Sequence, residues 1–496
     1  MTAATPLPSS PAPSADSTSA APIAPRRVLV AFCCGDLARA FLSGLITSYL
    51  MVVFIPASTS TLPVLLPAAA ATFMVVRGVG SLVDAIIDPF IAQWSDTSRN
   101  PRGRRVPYLR WFALPWAAST ALLVLTPAPT ASWVNTVWVG VLLLINVVTS
   151  SLYLVPYSAM QAELVTDTRR RVWFYTVNTL FFVVGSAVVF TAPVLKGALV
   201  DAGYSELTAW RIAFGFFSLL GAISAVIPAF AVDERRWVRF TPSYVPLWES
   251  FRATLRYPNF VVLLLAYLVM WVAFSLFNAT LLYYVTMLIG APEAFATVVS
   301  GLAIVVGVAS YWPINALAAR YGKKPLMVGA CAAYVTIYTA IFLSGWVITA
   351  IPPIPFAVAI GLLIGFPISV TNILPSAAFA DLTQYDTLVT GIDRAGMFFA
   401  SRNFITSLGQ TVVLFITPLL VAIGSTSGHA TVTGVRLTAL VAAIAIAVSL
   451  LLYARYDDRG ITAAIDAQAT GSAAGSATAD SATAGSATTP RDADAG

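Results

Sequence analysis

Long apolar runs alternate with short polar segments along almost the whole chain. Twelve of these runs have the roughly 20 residues that a helix needs to cross the ~30 Å hydrocarbon core of a bilayer. Because lipid offers no partner to backbone polar groups, runs of this kind form helices. The predicted spans are residues 28–55, 64–95, 110–127, 133–162, 172–195, 208–231, 258–284, 294–318, 325–346, 354–382, 395–423 and 433–454. The sequence therefore predicts an all-α membrane protein with twelve transmembrane helices.

A more polar segment divides the twelve runs into two groups of six. We predict an N-terminal six-helix bundle over residues 28–231 and a C-terminal six-helix bundle over residues 258–455. The linker, residues 232–257, sets apolar side chains against Arg252 and Arg256, which favours an amphipathic helix on the membrane surface. This parallel six-plus-six arrangement resembles the major facilitator fold, in which the substrate binds between the two halves.

The positive charges are unevenly distributed between the loops. They cluster after the second, fourth, sixth and eighth runs, as with Arg104 and Arg105 after the second run and Lys323 and Lys324 after the eighth. The segments after the first, third, ninth and eleventh runs contain no Lys or Arg, and Lys196 is the main exception to the pattern. The positive-inside rule then predicts cytoplasmic termini. Since these cations report topology, the net charge of +6 does not indicate a nucleic-acid partner.

Both ends of the chain are polar and of low complexity. Residues 1–27 lack the basic start and apolar core of a signal peptide, and residues 456–496 repeat Gly, Ser, Ala and Thr. We expect two disordered cytoplasmic tails on a multi-pass protein of the plasma membrane, the cell inner membrane in a bacterium. Its expected partners are the lipid bilayer and a small-molecule substrate, and we expect a monomer.

The composition excludes several classes of function. With 58% hydrophobic and 10% charged residues, the chain is too apolar for a soluble domain of this length. Cys33, Cys34 and Cys331 lie in apolar runs and indicate no disulfide framework, and His429 is the single histidine. The sequence shows no nucleophile–base pattern, phosphate-binding loop or metal cluster. We therefore expect neither an enzyme nor a bound cofactor.

Two acidic residues, Asp84 and Asp88, lie one helical turn apart in the second apolar run. An Asp at the centre of a membrane helix costs about 2.5–3.5 kcal/mol on insertion scales, and such residues usually bind ions or protons. Like charges at positions i and i+4 also repel each other. We interpret the pair as the site of a coupling cation, with Ser151 as a further oxygen ligand. The alternative is a structural ion pair with Arg77.

The coupling ion is H⁺ or Na⁺. Na⁺ prefers several hard oxygen ligands, and the few that the sequence offers favour H⁺. No metal site is expected beyond a Na⁺ at Asp84 and Asp88.

Further polar residues inside the runs are candidates for substrate binding. Asp36 and Arg39 either satisfy each other at i and i+3 or face the substrate, and Arg77 and Arg402 either neutralise carboxylates or bind an anionic group. Aromatic, amide and hydroxyl side chains suit a sugar pocket, although Trp and Tyr also form belts at membrane interfaces. The candidate cavity residues of this kind are Tyr153, Tyr157, Asn178, Trp271, Asn278, Tyr283, Tyr284, Trp312 and Asn372.

Four stretches, in this order, carry a closer resemblance. They are Gly35-Asp36 with Gly44-Leu45 and Ser48-Tyr49-Leu50-Met51; Asp84-Ala85-Ile86-Ile87-Asp88-Pro89 with Gly103-Arg104-Arg105-Val106-Pro107-Tyr108-Leu109; Val155-Pro156-Tyr157-Ser158-Ala159 with Glu163-Leu164; and Ala380-Asp381-Leu382-Thr383-Gln384-Tyr385-Asp386 with Thr390-Gly391, Gly396-Met397-Phe398-Phe399 and Leu408-Gly409-Gln410. The chain thus resembles the glycoside–pentoside–hexuronide:cation symporters of the major facilitator superfamily. The resemblance implies solute uptake driven by a Na⁺, H⁺ or Li⁺ gradient, with Asp84 and Asp88 as the cation-binding carboxylates.

The chain departs from the pattern of the family's melibiose-transporting members at the sugar site. Leu154 stands where those members have an Asp and Ser407 where they have a Lys, so an anion and a cation are lost together. Such a joint deletion can be nearly neutral in energy. Other departures are Ala40, Ile87, Ser158, Asn178 and Ala395. We therefore expect cation-coupled transport of a sugar or glycoside. The alternatives are uptake or efflux of a non-sugar amphipathic solute, or a non-transporting membrane sensor.

Overall fold

The structure is a computed structural model that describes residues 24–98, 100–101, 103–165, 168–237, 257–344, 351–390, 395–425, 428–458 and 460–461. Most of the predicted tails and of the predicted amphipathic linker helix therefore lies outside the described residues. Helices dominate throughout the described part of the chain. The prediction of an all-α membrane protein with the major facilitator fold is confirmed.

The N-terminal half consists of long helices joined by short connections. Two prolines mark helix starts that hydropathy does not show, Pro107 in the first turn of α3 and Pro193 in the first turn of α6. The helices are α1 Arg26–Phe54, α2 Ala69–Thr97, α3 Val106–Leu122, α4 Trp133–Leu164, α5 Thr168–Val189, α6 Ala192–Asp201, α7 Glu206–Ala231 and the short α8 Glu234–Trp237.

The C-terminal half repeats this arrangement. Its helices are α9 Pro258–Tyr283, which continues as a π-helical segment Tyr284–Ile289, α10 Ala294–Ala309, α11 Tyr311–Tyr321, α12 Lys323–Leu343, α13 Pro353–Thr390, α14 Ala395–Val421 and α15 Val432–Arg455. Within the described residues, nine helical stretches are long and apolar enough to cross a membrane. The pair α10 and α11, bent by 51°, adds a tenth. Helix α3, with 17 residues, and the apolar stretch Ile405–Val421 in α14 are shorter.

The fifth predicted span ends later than we expected. We placed its end at residue 195, but after a break at residues 190–191 the chain continues as α6 to Asp201. Lys196 thus belongs to a helix rather than to a loop, and its side chain is buried. A hydropathy pattern misses this because a buried lysine lowers local hydropathy as much as a solvated one.

Small residues allow α10 and α13 to pack closely. A Cβ atom added at Gly365 of α13 would lie 2.7 Å from the carbonyl oxygen of Ala303, and Ser369, one turn further, donates a hydrogen bond of 2.7 Å to the carbonyl of Gly307. Gly361, one turn earlier, also faces α10, within 3.0 Å of Val299. Small residues at four-residue spacing are a common helix interface in membranes because they let backbones approach.

Among the described residues, the two halves are in contact at one end of the molecule and near the helix middles. We call the end where α1 begins the basic face, defined by Arg26, Arg104, Arg105, Lys323 and Lys324, and the other end the opposite face. One continuous apolar cluster joins the opposite-face ends of the N-terminal helices to the C-terminal half. A second cluster lies at the basic end of the N-terminal half and contains residues of that half alone.

Hydrogen bonds between the halves follow the same distribution. At the opposite face the hydroxyl of Tyr283 donates to the carbonyl of Ile55 over 2.5 Å, and the amide of Ala430 donates to the carbonyl of Pro56 over 2.8 Å. Near the helix middles, the hydroxyls of Ser81 and Thr411 are 2.6 Å apart. The contacts thus close the opposite face.

Candidate functional site

A cavity of about 380 Å³ extends from the helix middles toward the basic face. Its lining comes from three helices of the N-terminal half, α1, α2 and α4. The lining residues are Asp36, Arg39, Ser43, Asp84, Asp88, Ser150, Ser151, Leu154, Val155, Tyr157, Ser158 and Gln161. Six of the predicted site residues, Asp36, Arg39, Asp84, Asp88, Ser151 and Tyr157, are therefore brought together around one space.

The two carboxylates of α2 differ in how they are satisfied. Asp84 Oδ1 accepts a hydrogen bond of 2.6 Å from the hydroxyl of Ser151 on α4. Asp88 Oδ1 is buried and has no hydrogen-bond partner among the described residues. Burying an ionised oxygen without a partner is costly unless a cation or a proton compensates it. Two carboxylates and a hydroxyl are the oxygen ligands that a hard cation uses.

A second polar group lies closer to the basic face. Asp36 forms an ion pair of 2.8 Å with Arg39, and its other oxygen accepts hydrogen bonds from Gln161 over 2.9 Å and from the hydroxyl of Tyr157 over 3.1 Å. The Arg39 guanidinium also lies over the ring of Phe182, 4.4 Å from its centroid, and its side chain is 45% exposed. Asp36 and Arg39 thus satisfy each other and line the cavity as well.

A glycine sets the distance between α1 and α4 at this point. A Cβ atom at Gly35 would lie closer than 3.0 Å to the ring of Tyr157, so a larger residue would displace the ring. Phe32, also of α1, stacks on that ring with centroids 4.4 Å apart, and the Tyr157 residue is 2% exposed. The ring is thus fixed and buried, and Tyr157 presents no open aromatic face to a ligand.

The two remaining arginine candidates lie outside this cavity. Arg77 lines a much smaller cavity of about 20 Å³ between the halves, with Thr47 of α1 and Leu414 of α14 among its neighbours. It lies within electrostatic range of Asp84. Arg402 donates a hydrogen bond of 3.1 Å to the hydroxyl of Ser376, in the C-terminal half. A substrate contact by either arginine stays a prediction.

The three predicted asparagines do not line the cavity. The side-chain amides of Asn278 and Asn372 donate to the carbonyls one turn earlier in their own helices, those of Phe274 and Ile368. Asn178 of α5 is buried, and its amide oxygen and nitrogen have no hydrogen-bond partner among the described residues. Its role in substrate binding also stays a prediction.

Most of the aromatic candidates make contacts within the helix bundle. Tyr153 donates to the carbonyl of Ala225, and the hydroxyl of Tyr284 lies 3.0 Å from that of Thr438. Tyr283 donates the hydrogen bond to Ile55 that joins the two halves at the opposite face. Trp271 packs beside Tyr267 and Phe274, whereas Trp312 is 82% exposed.

Four cavity residues were not predicted from the sequence, namely Ser43, Ser150, Val155 and Gln161. A signal for three of them exists in the chain. Val155 lies four residues after Ser151, and Ser150 lies four residues before Leu154 and eleven before Gln161, so helical spacing brings each of them close to a residue already singled out or to one another. Ser43 lies two turns beyond Asp36 in α1. The departures at Leu154 and Ser158 also face the cavity, so the positions that differ from the family pattern form part of its wall.

Comparisons with known proteins agree with this architecture. The family model described as MFS/sugar transport protein matches residues 31–457. The chain is 25% identical over 265 residues to the uncharacterized symporter YnaJ of Bacillus subtilis (strain 168), a match that spans 52% of the chain and 54% of that relative. It is 22% identical over 395 residues to the isoprimeverose transporter of Lactiplantibacillus pentosus, spanning 77% of the chain and 76% of that relative.

Solved structures of low sequence identity share the fold. A bacterial homologue of the iron transporter ferroportin in an inward-facing state matches with a TM-score of 0.62 and 15% identity, over 88% of the chain and 100% of that structure. The nucleoside transporter NupG matches with a TM-score of 0.59 and 12% identity, over 86% and 98%. The family match covers most of the chain, and the resemblance inferred from the motifs is confirmed. The chain belongs to the MFS/sugar transport protein family and is a membrane transporter of the major facilitator type.

Proposed function

We propose that this transporter is a cation-coupled symporter that carries a sugar or glycoside across the plasma membrane by alternating access. The observation that carries the proposal is the pair of carboxylates at the cavity wall, with Asp88 Oδ1 buried and without a hydrogen-bond partner among the described residues. A cation or a proton bound there would compensate the buried charge. Coupling follows if the solute binds well only when that charge is compensated.

The proposed coupling ion is H⁺ or Na⁺. Asp84, Asp88 and Ser151 would supply oxygen ligands to Na⁺, and the carboxylates alone suffice to carry a proton. The small number of oxygen ligands favours H⁺. The ion is a cargo of the cycle, and the proposal involves no bound cofactor.

The other cavity residues support a polar, neutral solute. Arg39, Gln161 and Ser158 offer hydrogen-bonding groups next to the carboxylates. A few convergent polar groups in a concave site are typical of small-molecule binding. The description of the family and the name of one relative, isoprimeverose transporter, also support a sugar.

A second candidate is transport of a non-sugar amphipathic solute. Leu154 and Val155 form an apolar patch in the cavity wall, and the ring of Tyr157 is covered by Phe32. The wall therefore offers apolar aliphatic surface but no open tyrosine face of the kind on which sugars stack. The two candidates differ in which labelled solute accumulates, and uptake measurements separate them.

The orientation belongs to the same proposal. By the positive-inside rule, the cations of the basic face support a cytoplasmic position for that face, with both termini cytoplasmic and the cavity open inward. With the opposite face closed, the molecule would be in its inward-facing state, ready to release solute and ion to the cytoplasm. We infer a monomer, since helices of a single chain line the cavity.

Uptake into energised membrane vesicles tests the proposal. Labelled sugars and labelled amphipathic solutes are offered under a Na⁺ gradient and a pH gradient imposed separately. We expect one gradient to drive accumulation by the unmodified protein and Asp88→Asn to abolish accumulation against a gradient. Asp201→Asn, an exposed carboxylate at the end of α6, is the matched control. Accumulation by a folded Asp88→Asn protein at the unmodified level would refute the coupling site.

A further inference from the structure

A buried lysine joins the two halves of the protein at the opposite face. Lys196 of α6 forms an ion pair of 2.9 Å with Glu206 at the start of α7, in its own half. It forms a second ion pair of 2.6 Å with Glu293, directly before α10 in the other half. The Lys196 side chain is only 8% exposed, and its ammonium lies 5.9 Å from the centre of the Trp210 ring. One cation thus holds a carboxylate from each half.

The Lys196–Glu293 contact continues into the neighbouring helix turns. One turn after Glu293, the hydroxyl of Thr297 donates a hydrogen bond to the carbonyl of Phe190, just before α6. The segment before Glu293 turns at Gly290, whose φ of 77° suits glycine because it has no Cβ. The start of α10 therefore contacts the α5–α6 region through an ion pair, Lys196–Glu293, and a hydrogen bond between Thr297 and Phe190.

The two carboxylates are not equivalent. Glu206 accepts three further hydrogen bonds, from the hydroxyl of Ser60 and from the amide and hydroxyl of Thr61, so it is fixed within the N-terminal half. Glu293 is 31% exposed and is positioned to meet water when released. If the halves separate, Lys196 keeps Glu206 and Glu293 becomes solvated. Opening then leaves no buried charge without a partner, which is the costly outcome when an ion pair is broken.

We propose that the Lys196–Glu293 ion pair is a releasable latch that holds the opposite face closed, with Glu206 retaining Lys196 while the latch is open. The proposal rests on alternating access, which is part of the proposed function, and adds the contact that must break in each cycle. Removing the Glu293 charge weakens the closed state alone. Removing the Glu206 charge leaves the contact between the halves in place.

A cysteine reporter tests the latch without a solute. The three native cysteines are replaced by serine, and Ala430→Cys is introduced, because Ala430 is fully buried in the closed opposite face. The purified protein in lipid nanodiscs is treated with a membrane-impermeant maleimide. We expect Glu293→Gln to raise the labelling rate about fivefold, the equivalent of losing a partly exposed ion pair. Lys196→Gln should raise it as well.

Two comparisons make the result specific. Glu206→Gln should label no faster than the reporter protein, because Lys196 keeps Glu293. Asp201→Asn, an exposed carboxylate of the same helix, controls for a general change of charge. An unchanged rate in Glu293→Gln, or an equal rise in Glu206→Gln, would overturn the latch. If labelling behaves as expected while no solute accumulates under any gradient, the latch stands and the symport proposal fails.

Discussion

Ser150 and Ser151 are neighbours in α4 that differ in what their hydroxyls bind. Ser151 donates to Asp84 over 2.6 Å, whereas Ser150 donates to the carbonyl of Val147 in its own helix over 2.9 Å. Both line the same cavity. The first is tied to the carboxylate pair and the second only to the backbone.

This difference predicts that substitutions of the two serines change the apparent affinity for the coupling ion unequally. Ser151→Ala removes a hydrogen bond to a charged group, worth about 1.5–3 kcal/mol, so we expect the ion concentration for half-maximal uptake to rise about tenfold or more. Ser150→Ala should change it less than about twofold. Uptake measured against ion concentration in vesicles gives both values. Equal shifts in the two variants would contradict a role for Ser151 at the ion.

The predicted substrate contact of Asn178 can be separated experimentally from a role in packing. Its amide is buried without a hydrogen-bond partner among the described residues, a state that costs about 1–3 kcal/mol. Asn178→Leu should therefore raise the melting temperature, whereas Asn278→Leu, which loses a hydrogen bond to Phe274, should not. Thermal unfolding of the detergent-purified proteins measures this. A stable Asn178→Leu protein that no longer transports would support the predicted substrate contact. A lower melting temperature would contradict the view that burying the Asn178 amide destabilises the protein.

The sequence predicted the local site residues better than the distant ones. Asp84, Asp88 and Ser151 line one cavity, the first two because they share a helix face and the third because α4 packs beside α2. The partners of Arg77 and Arg402 depend on which helices lie side by side, and helical periodicity in one helix carries no such information. Lys196 is an exception to the charge rule in the sequence, and its partners Glu206 and Glu293 lie in other parts of the chain, which the charge rule does not reveal.

At the scale of helices, α10 and α13 pack through small residues whose neighbours are backbone atoms. Backbone atoms cannot turn aside as a flexible side chain can. Gly365 faces the carbonyl of Ala303, while Gly301 of α10 has nothing within 4 Å of an added Cβ. The two glycines therefore form a matched pair with opposite surroundings.

We expect Gly365→Ala to destabilise the protein by about 1–3 kcal/mol, as overpacking does, and Gly301→Ala to have little effect or to stabilise the helix slightly. The measurement is the melting temperature of each purified variant in the same detergent. Equal shifts of the melting temperature in the two variants would contradict the close packing of α10 against α13 at Gly365.

The long helices were predictable because hydrophobicity over about 20 residues leaves few alternatives in a bilayer. Their interruptions were not. The break before α6 and the 51° bend between α10 and α11 arise from local backbone geometry that an average over the window removes. Lys196, which joins the two halves, lies in α6 directly after the first of these breaks.

At the scale of the whole molecule, ion binding to the carboxylates of α2 should raise the free energy of unfolding. An ion that binds the folded protein and not the unfolded chain stabilises it by about 2.7 kcal/mol at a hundred times its dissociation constant. We therefore expect Na⁺, if it is the coupling ion, to raise the melting temperature at constant ionic strength relative to K⁺. Asp88→Asn should remove the difference, and Asp201→Asn should keep it. A Na⁺ effect that persists in Asp88→Asn would place the ion elsewhere.

Which face of the transporter is closed was not predictable from the sequence. One sequence encodes every state of the cycle, so hydropathy and motifs describe what the states share. The closed opposite face depends on contacts between side chains far apart in the chain, such as Tyr283 with Ile55 and Lys196 with Glu293.

Among the described residues, the cavity wall comes from α1, α2 and α4, and this has an evolutionary consequence. The groups proposed to hold the ion and those proposed to meet the solute lie on the same three helices, with Ser151 and Leu154 one turn apart. A mutation that adapts the wall to a new solute therefore acts on the neighbours of Asp84 and Asp88. Descendants of such a protein would be expected to change their nutrient and their energy source together.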